Sequence, residues 1–210
     1  MNEKGKIMVF LRSTLSIVCC ALLLSGCLTV RFVEEYDRVL DENLTALQGD
    51  LADFVARLGV NASKPEGQYG HADVQAFYAR TDIAINGFVE RAEMLDEDGS
   101  CKPTEYANKG IEKTVESAYE AVAALEIPYA DAKELLEPLE DDAGNSVDLE
   151  AGNCTVVILK SLLSNFRILR YMHEDSGSLP PALSSITGAI IGDTIRIAIK
   201  NELIKKTRDE

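Results

Sequence analysis

Two histidines, five cysteines and 35 carboxylates are the groups in this chain that could attack, relay a proton or hold a metal. His71 and His173 each read as a surface or helix-end residue. A metal or catalytic centre would need His173, Glu174 and further carboxylates to converge. No HExxH, Glu-x-x-His, GxSxG, Gly-rich phosphate loop or EF-hand pattern is written in the sequence. Asp82, Glu90 and Glu93 share one helical stretch, which in so acidic a chain reads as a solvated face. The run "EDDAGNSVDLE" offers Asp141, Asp142 and Asp148 to Ca²⁺ but lacks a glutamate at the required spacing. "NLT" at Asn43 and "NCT" at Asn153 match a glycosylation sequon. The expectation is a chain with no catalytic, cofactor-binding or metal-binding residues.

The thiols say more. Residues 1–12 are basic, "TLSIVCCALLLS" is a 12-residue apolar run, and small residues then lead to Cys27. A secretory signal has this layout, and the run is short of the roughly 20 residues a spanning helix needs. Leu24-Ser25-Gly26-Cys27 resembles the lipobox of bacterial lipoproteins. The resemblance implies diacylglycerol on the Cys27 thiol, cleavage after Gly26 and acylation of the new amino terminus. Two or three acyl chains make a stable anchor, since each buried CH₂ contributes about 0.8 kcal/mol. Leu28, where some lipoproteins carry Asp, implies the outer rather than the inner membrane of a two-membrane envelope. The alternative is an uncleaved anchor running from Ser13 to Val30. On the lipoprotein reading residues 1–26 are the signal peptide and 27–210 form a single domain.

Cys19 and Cys20 leave with that signal, so Cys101 and Cys154 remain. Two thiols in an oxidising compartment most simply form one disulfide. Closing a loop of about 50 residues is worth on the order of 4 kcal/mol in the chain-entropy model. A redox or metal site would want a CxxC or a nearby histidine, and neither is present.

What must position these residues is helical. Val33, Tyr36, Leu40, Leu44, Leu47, Leu51, Phe54 and Leu58 recur in steps of three and four, one stripe on a long helix. "GVNASKPEGQYG" breaks it. A second helix is predicted from His71 to Leu95, with Val74, Phe77, Ala84, Phe88, Ala92 and Leu95 inward and Gly87 as a weak point. A third, capped by Thr104, places Ile111, Val115, Ala118, Val122 and Leu125 on one face and stops at Pro128. "YADAKELLEPLE" offers a short helix. A fourth, more apolar helix covers Cys154–His173. A fifth runs from Leu179 to Lys206, where Lys200, Lys205, Lys206 and Arg208 complement its dipole. The runs "VVI" and "AIIG" are where a strand would intrude. The fold class is therefore all-α, an up-and-down bundle of about five helices. A Cys101–Cys154 bridge adds topology: residues 127–152 must travel back along the third helix, leaving the third and fourth helices parallel.

"EEYDRVLDENLTALQ" (34–48) and the closing "KNELIKK" resemble a group of small, all-helical bacterial lipoproteins. That likeness implies a fold and a location, and no activity.

Net charge is −14, and −16 once the net +2 of residues 1–26 is set aside. So acidic a body repels nucleic acid. Tyr69, Tyr78 and Tyr106, and Tyr129 with Tyr171, read as the edge of a helical core rather than as an interface. The functional expectation is a membrane-anchored, non-catalytic interaction module of the cell envelope, held by lipid on Cys27 and serving an envelope protein partner. The alternative is a periplasmic carrier of an apolar small molecule or lipid. An apolar void of several hundred Å³ would favour the carrier, and a solid core would count against it.

Overall fold

Asp37 caps the first helix: its Oδ1 accepts from the backbone N–H groups of Val39 and Leu40 at 3.0 and 3.2 Å. The computed structural model describes residues 36–95, 105–139 and 154–209. Cys27, Cys101, Thr104, Asn153 and the acidic run with Asp141, Asp142 and Asp148 lie outside those residues.

Six helices make up the described chain: α1 (Arg38–Val60), α2 (Ala72–Leu95), α3 (Glu105–Ala124), α4 (Tyr129–Leu136), α5 (Cys154–Ser176) and α6 (Pro181–Asp209). Single 3₁₀ turns sit at Pro65–Gly67 and Glu137–Leu139. The described residues contain no strand, only an isolated bridge between Gln68 and Ser178. Both "VVI" and "AIIG" are helical. The all-α bundle is thus the observed fold, with "YADAKELL" as its short sixth helix.

α5 is the axis. Fifteen of its 23 residues are buried, because α2, α3 and α6 all pack against it. α1 lays the predicted leucine stripe, Leu40 to Leu58, against α6 and the core. Phe54 stacks on Phe77 of α2 with ring centroids 3.7 Å apart. Gly188 lets α1 and α6 approach, since a Cβ there would come within 2.9 Å of Val55 Cγ1. α6 is apolar and long enough to cross a bilayer (mean hydropathy 1.4), yet its apolar residues are spread over three neighbours, α1, α3 and α5.

The predicted inner face of α2 needs correction. Thr81, Ile85 and Val89 are buried, whereas Ala84 and Phe88 are only half-buried and Leu95 is exposed. Val74, Phe77 and Ala92 are buried as predicted, and only in the middle of the helix is the buried stripe set one position along, at Ile85 and Val89. Gly87 faces open space and does not interrupt the helix.

Cross-helix bonds fix the directions. Asp82 meets Arg167 and Glu93 meets Lys160, so α2 and α5 are antiparallel. Thr114 meets Asn165, and Val122 joins Ile168 in one cluster, so α3 and α5 run parallel. That is the direction the return connection requires. α3 closes on a left-handed Glu126 (φ 51°), with Ile127 N–H reaching back to the Val122 carbonyl at 3.3 Å. Pro128 follows and cannot continue the helix.

Candidate functional site

His173 stands in the last turn of α5, a helix-end residue, but it is fully buried rather than at the surface. Its Nε2 lies 3.0 Å from the Gly67 carbonyl, which can only accept, so Nε2 carries the proton. The bare Nδ1 accepts from the Tyr78 hydroxyl at 3.1 Å. Tyr69 covers the ring edge-on, donates to Glu174 Oε2 at 2.8 Å, and receives a bond from Arg170 at 3.2 Å. Gly67 is required where it stands: a Cβ would collide with the Asn61 carbonyl. The α1–α2 loop is thereby clamped to the end of α5, reinforced by Tyr69 N–H on the Gly177 carbonyl at 2.9 Å. No substrate reaches this imidazole.

Burial lowers the His173 pKa, the hydrogen bond to Gly67 opposing it only in part, and burial raises that of Tyr78. The unfolded chain therefore takes up a proton before the folded one does. This contribution to stability is whole above the ordinary histidine value of 6.5 and is lost as pH falls below it. Melting temperature is expected to drop by a few degrees between pH 7.5 and pH 5, and His173→Gln to flatten that slope. An equal slope in the variant would remove His173 from the account. Asp37 acts in the same sense at more acid pH. Burial alone would raise its pKa, but hydrogen bonds from Arg91, Leu40 and Val39 outweigh burial and hold it below 3.8.

At the opposite end α1 starts and α6 finishes, and a second polar network is closed off. Glu202 is fully buried; its Oε2 accepts from Asp37 N–H at 3.1 Å, and its Oε1 accepts from Thr155 at 3.0 Å. Lys205, read as one of the basic residues that complement the helix dipole, is buried and lies 2.8 Å from Glu202 Oε1. Asn201 and Lys205 both donate to Thr155 Oγ1, at 2.9 and 2.6 Å. Arg91 clasps the Asp37 carboxylate with two nitrogens. These bonds tie α1, α2, α5 and α6 together.

The open surface is elsewhere. An acidic cleft of about 640 Å³ lies between α2, α4 and α5. Its two arginines are engaged, Arg167 by Asp82 at 3.2 Å and Arg170 by Tyr69. A groove of about 440 Å³ lies between α3 and α6. Its floor is Gly110, Ala189, Ile190 and Ile197, and Lys109, Lys113, Arg196 and Lys200 rim it with a single acid, Asp193. In a chain of net charge −14 that is a local reversal of sign.

Other predicted residues fall apart or outside. Cys154 opens α5 and is buried, with Cys101 beyond the described residues. His71 Nδ1 accepts from Asp73 N–H at 3.3 Å and caps α2, a helix-end role. Asp82 and Glu93 serve different partners, Arg167 and Lys160, and Glu90 is exposed. Among the described residues no three His, Cys, Asp or Glu are grouped to hold a metal ion. Tyr78 is core and Tyr69 packs on it. The missed groove had a partial signal, since Lys109/Lys113 and Arg196/Lys200 are each spaced by four. Nothing local says that α3 faces α6.

No family model matches the chain, and neither curated proteins nor solved structures give a match.

Proposed function

We propose that this chain is a bacterial lipoprotein whose mature part, 27–210, is a non-catalytic binding module of the cell envelope, working through the α3–α6 groove. The lipobox residues 24–27 carry the location, with lipid on Cys27 and the outer membrane's periplasmic face as the site. The proposed Cys101–Cys154 bridge would start from Cys154, which is buried at the first turn of α5.

The groove is the observation that carries the binding role. It is open, cationic at its rim and apolar at its floor, in a chain otherwise acidic. His173, by contrast, is sealed among Tyr78, Tyr69 and Gly67, out of reach of any substrate. The second reading, a carrier of an apolar small molecule or lipid, draws on the same floor. The side chains that fill the α5-centred core count against an internal chamber.

Mass spectrometry of the native membrane fraction tests the anchor. The expected amino-terminal peptide starts at Cys27 with the mass of diacylglycerol added, and Cys101 and Cys154 appear as one linked pair. An intact Met1–Glu210 with free thiols overturns the reading, and turnover of any substrate by the purified protein overturns its non-catalytic part.

A further inference from the structure

The α1–α2 loop, residues 61–71, is held to the bundle at one place. Among the described residues, every hydrogen bond it makes beyond itself and the adjoining helix turns ends between Arg170 and Ser178. The Gly67 carbonyl accepts from His173, Tyr69 N–H meets the Gly177 carbonyl, and the Tyr69 hydroxyl joins Glu174 and Arg170. Gln68 and Ser178 add an isolated bridge. Apolar burial holds the loop weakly, since Gly67 is the one buried residue of its eleven. The Tyr69 ring alone leans inward, on Tyr78 and His173. A segment with few buried contacts and its polar ties gathered at one point is suited to opening by itself.

His173 stands at that point. Neutral, its ring donates from Nε2 and accepts at Nδ1 from Tyr78. A second proton on Nδ1 sets a donor against a donor. The Tyr78 hydroxyl must then turn its own proton away, and it has no second partner among the described residues. The imidazolium is also shut away from water, a cost that burial imposes on any charge. The ionisable groups about the ring are Tyr69 of the loop, Tyr78 of α2, and Arg170 and Glu174 of α5, and no carboxylate is bonded to it. Glu66, beside Gly67, is exposed. Lifting Gly67 and Tyr69 off the ring hydrates it while leaving every helix intact, because both stand on the loop.

We propose that His173 is the latch of an acid-opened loop: when its imidazole takes up a second proton, residues 61–71 lift from the end of α5 as a unit while the helices stay folded. The latch is independent of the α3–α6 groove and of the anchor. The loop supplies Asn61, Glu66 and His71 to the wall of a pocket of about 360 Å³ lined by Phe54 and Phe77, so opening takes that pocket apart.

The test is amide hydrogen exchange of the full chain in nanodiscs between pH 7.5 and pH 5, corrected for the intrinsic rate and read on the peptide covering 61–71. Across that range the loop's opening equilibrium is expected to rise about fivefold to thirtyfold, the upper figure being the ceiling for a ring that regains the ordinary value of 6.5 once open. Peptides from α3 and α5 are expected to stay protected, and the first turn of α1, at the opposite end, to show no such rise. His173→Gln keeps a donor for Gly67 and an acceptor for Tyr78, and is expected to abolish the rise. His71, the loop's other imidazole, receives the Asp73 N–H. His71→Asn keeps a capping oxygen and is expected to retain the full rise. It also leaves His173 as the only histidine, so its ring resonances can be followed even if His173→Gln does not fold. They are expected to titrate together with loop opening. Corrected exchange that is flat with pH, loss of protection in α5 together with the loop, a rise that disappears with His71, or a ring that protonates under a closed loop would each overturn the latch.

Discussion

Glu202→Leu is expected to lower stability by about 3–5 kcal/mol, the cost of leaving a buried charge without its counter-ion. Leucine is close in size to glutamate, so little of that loss comes from a cavity. It comes from three groups at once. Lys205 Nζ loses its carboxylate, Asp37 N–H loses its acceptor, and Thr155 loses the atom to which its hydroxyl donates. For a domain of this size the melting temperature should fall by about 10 °C. The double variant Glu202→Leu/Lys205→Met should recover most of the loss, because a buried pair replaced as a unit by apolar groups is often neutral. Urea unfolding of the three proteins decides the matter. A single-variant loss under about 1 kcal/mol would mean that water reaches Lys205 and the network is only a surface ion pair.

Phe166→Ala should cost a similar amount, about 3–5 kcal/mol, by a different mechanism. Phe166 is fully buried in the middle of α5 and lies against Tyr78, with ring centroids 5.6 Å apart. Removing the ring leaves a void on the one helix that α2, α3 and α6 all share, so no neighbour can close it without leaving another. The exposed Leu203→Ala is the control and should stay within about 0.5 kcal/mol of wild type. Equal losses at 166 and 203 would deny α5 its central place.

The contrast between these two sites marks how far the sequence could be read. Phe166 was legible. "TVVILKSLLSNFRILRYM" is apolar on nearly every side, which in a helix means neighbours all round. The α1 stripe was legible for the same reason, a period that only a helix satisfies. The parallel run of α3 and α5 was expected from the proposed bridge between residues 101 and 154, and the Thr114–Asn165 bond agrees with it. Glu202 and Lys205 were not legible, because a lysine near a helix carboxyl terminus has a sufficient local explanation in the dipole. Their burial depends on Asp37 and Thr155, which lie 165 and 47 residues from Glu202. His173 was hidden in the same way, its partners standing 95 and 106 residues away. The one-residue shift of the α2 stripe has a different cause. "DIAINGFV" carries an apolar residue on several faces, and periodicity alone cannot choose between Ile85/Val89 and Ala84/Phe88. The contact with α5 does.

The pairing of α1 with α6 sets an order of events during synthesis and folding. The first helix finds its main neighbour only in the last, Gly188 against Val55 and Glu202 against Asp37, so the core cannot close while the carboxyl terminus is still being made. Contacts this distant in sequence carry a loop-closure cost and form late. A chain built this way stays an open thread until its final thirty or so residues arrive.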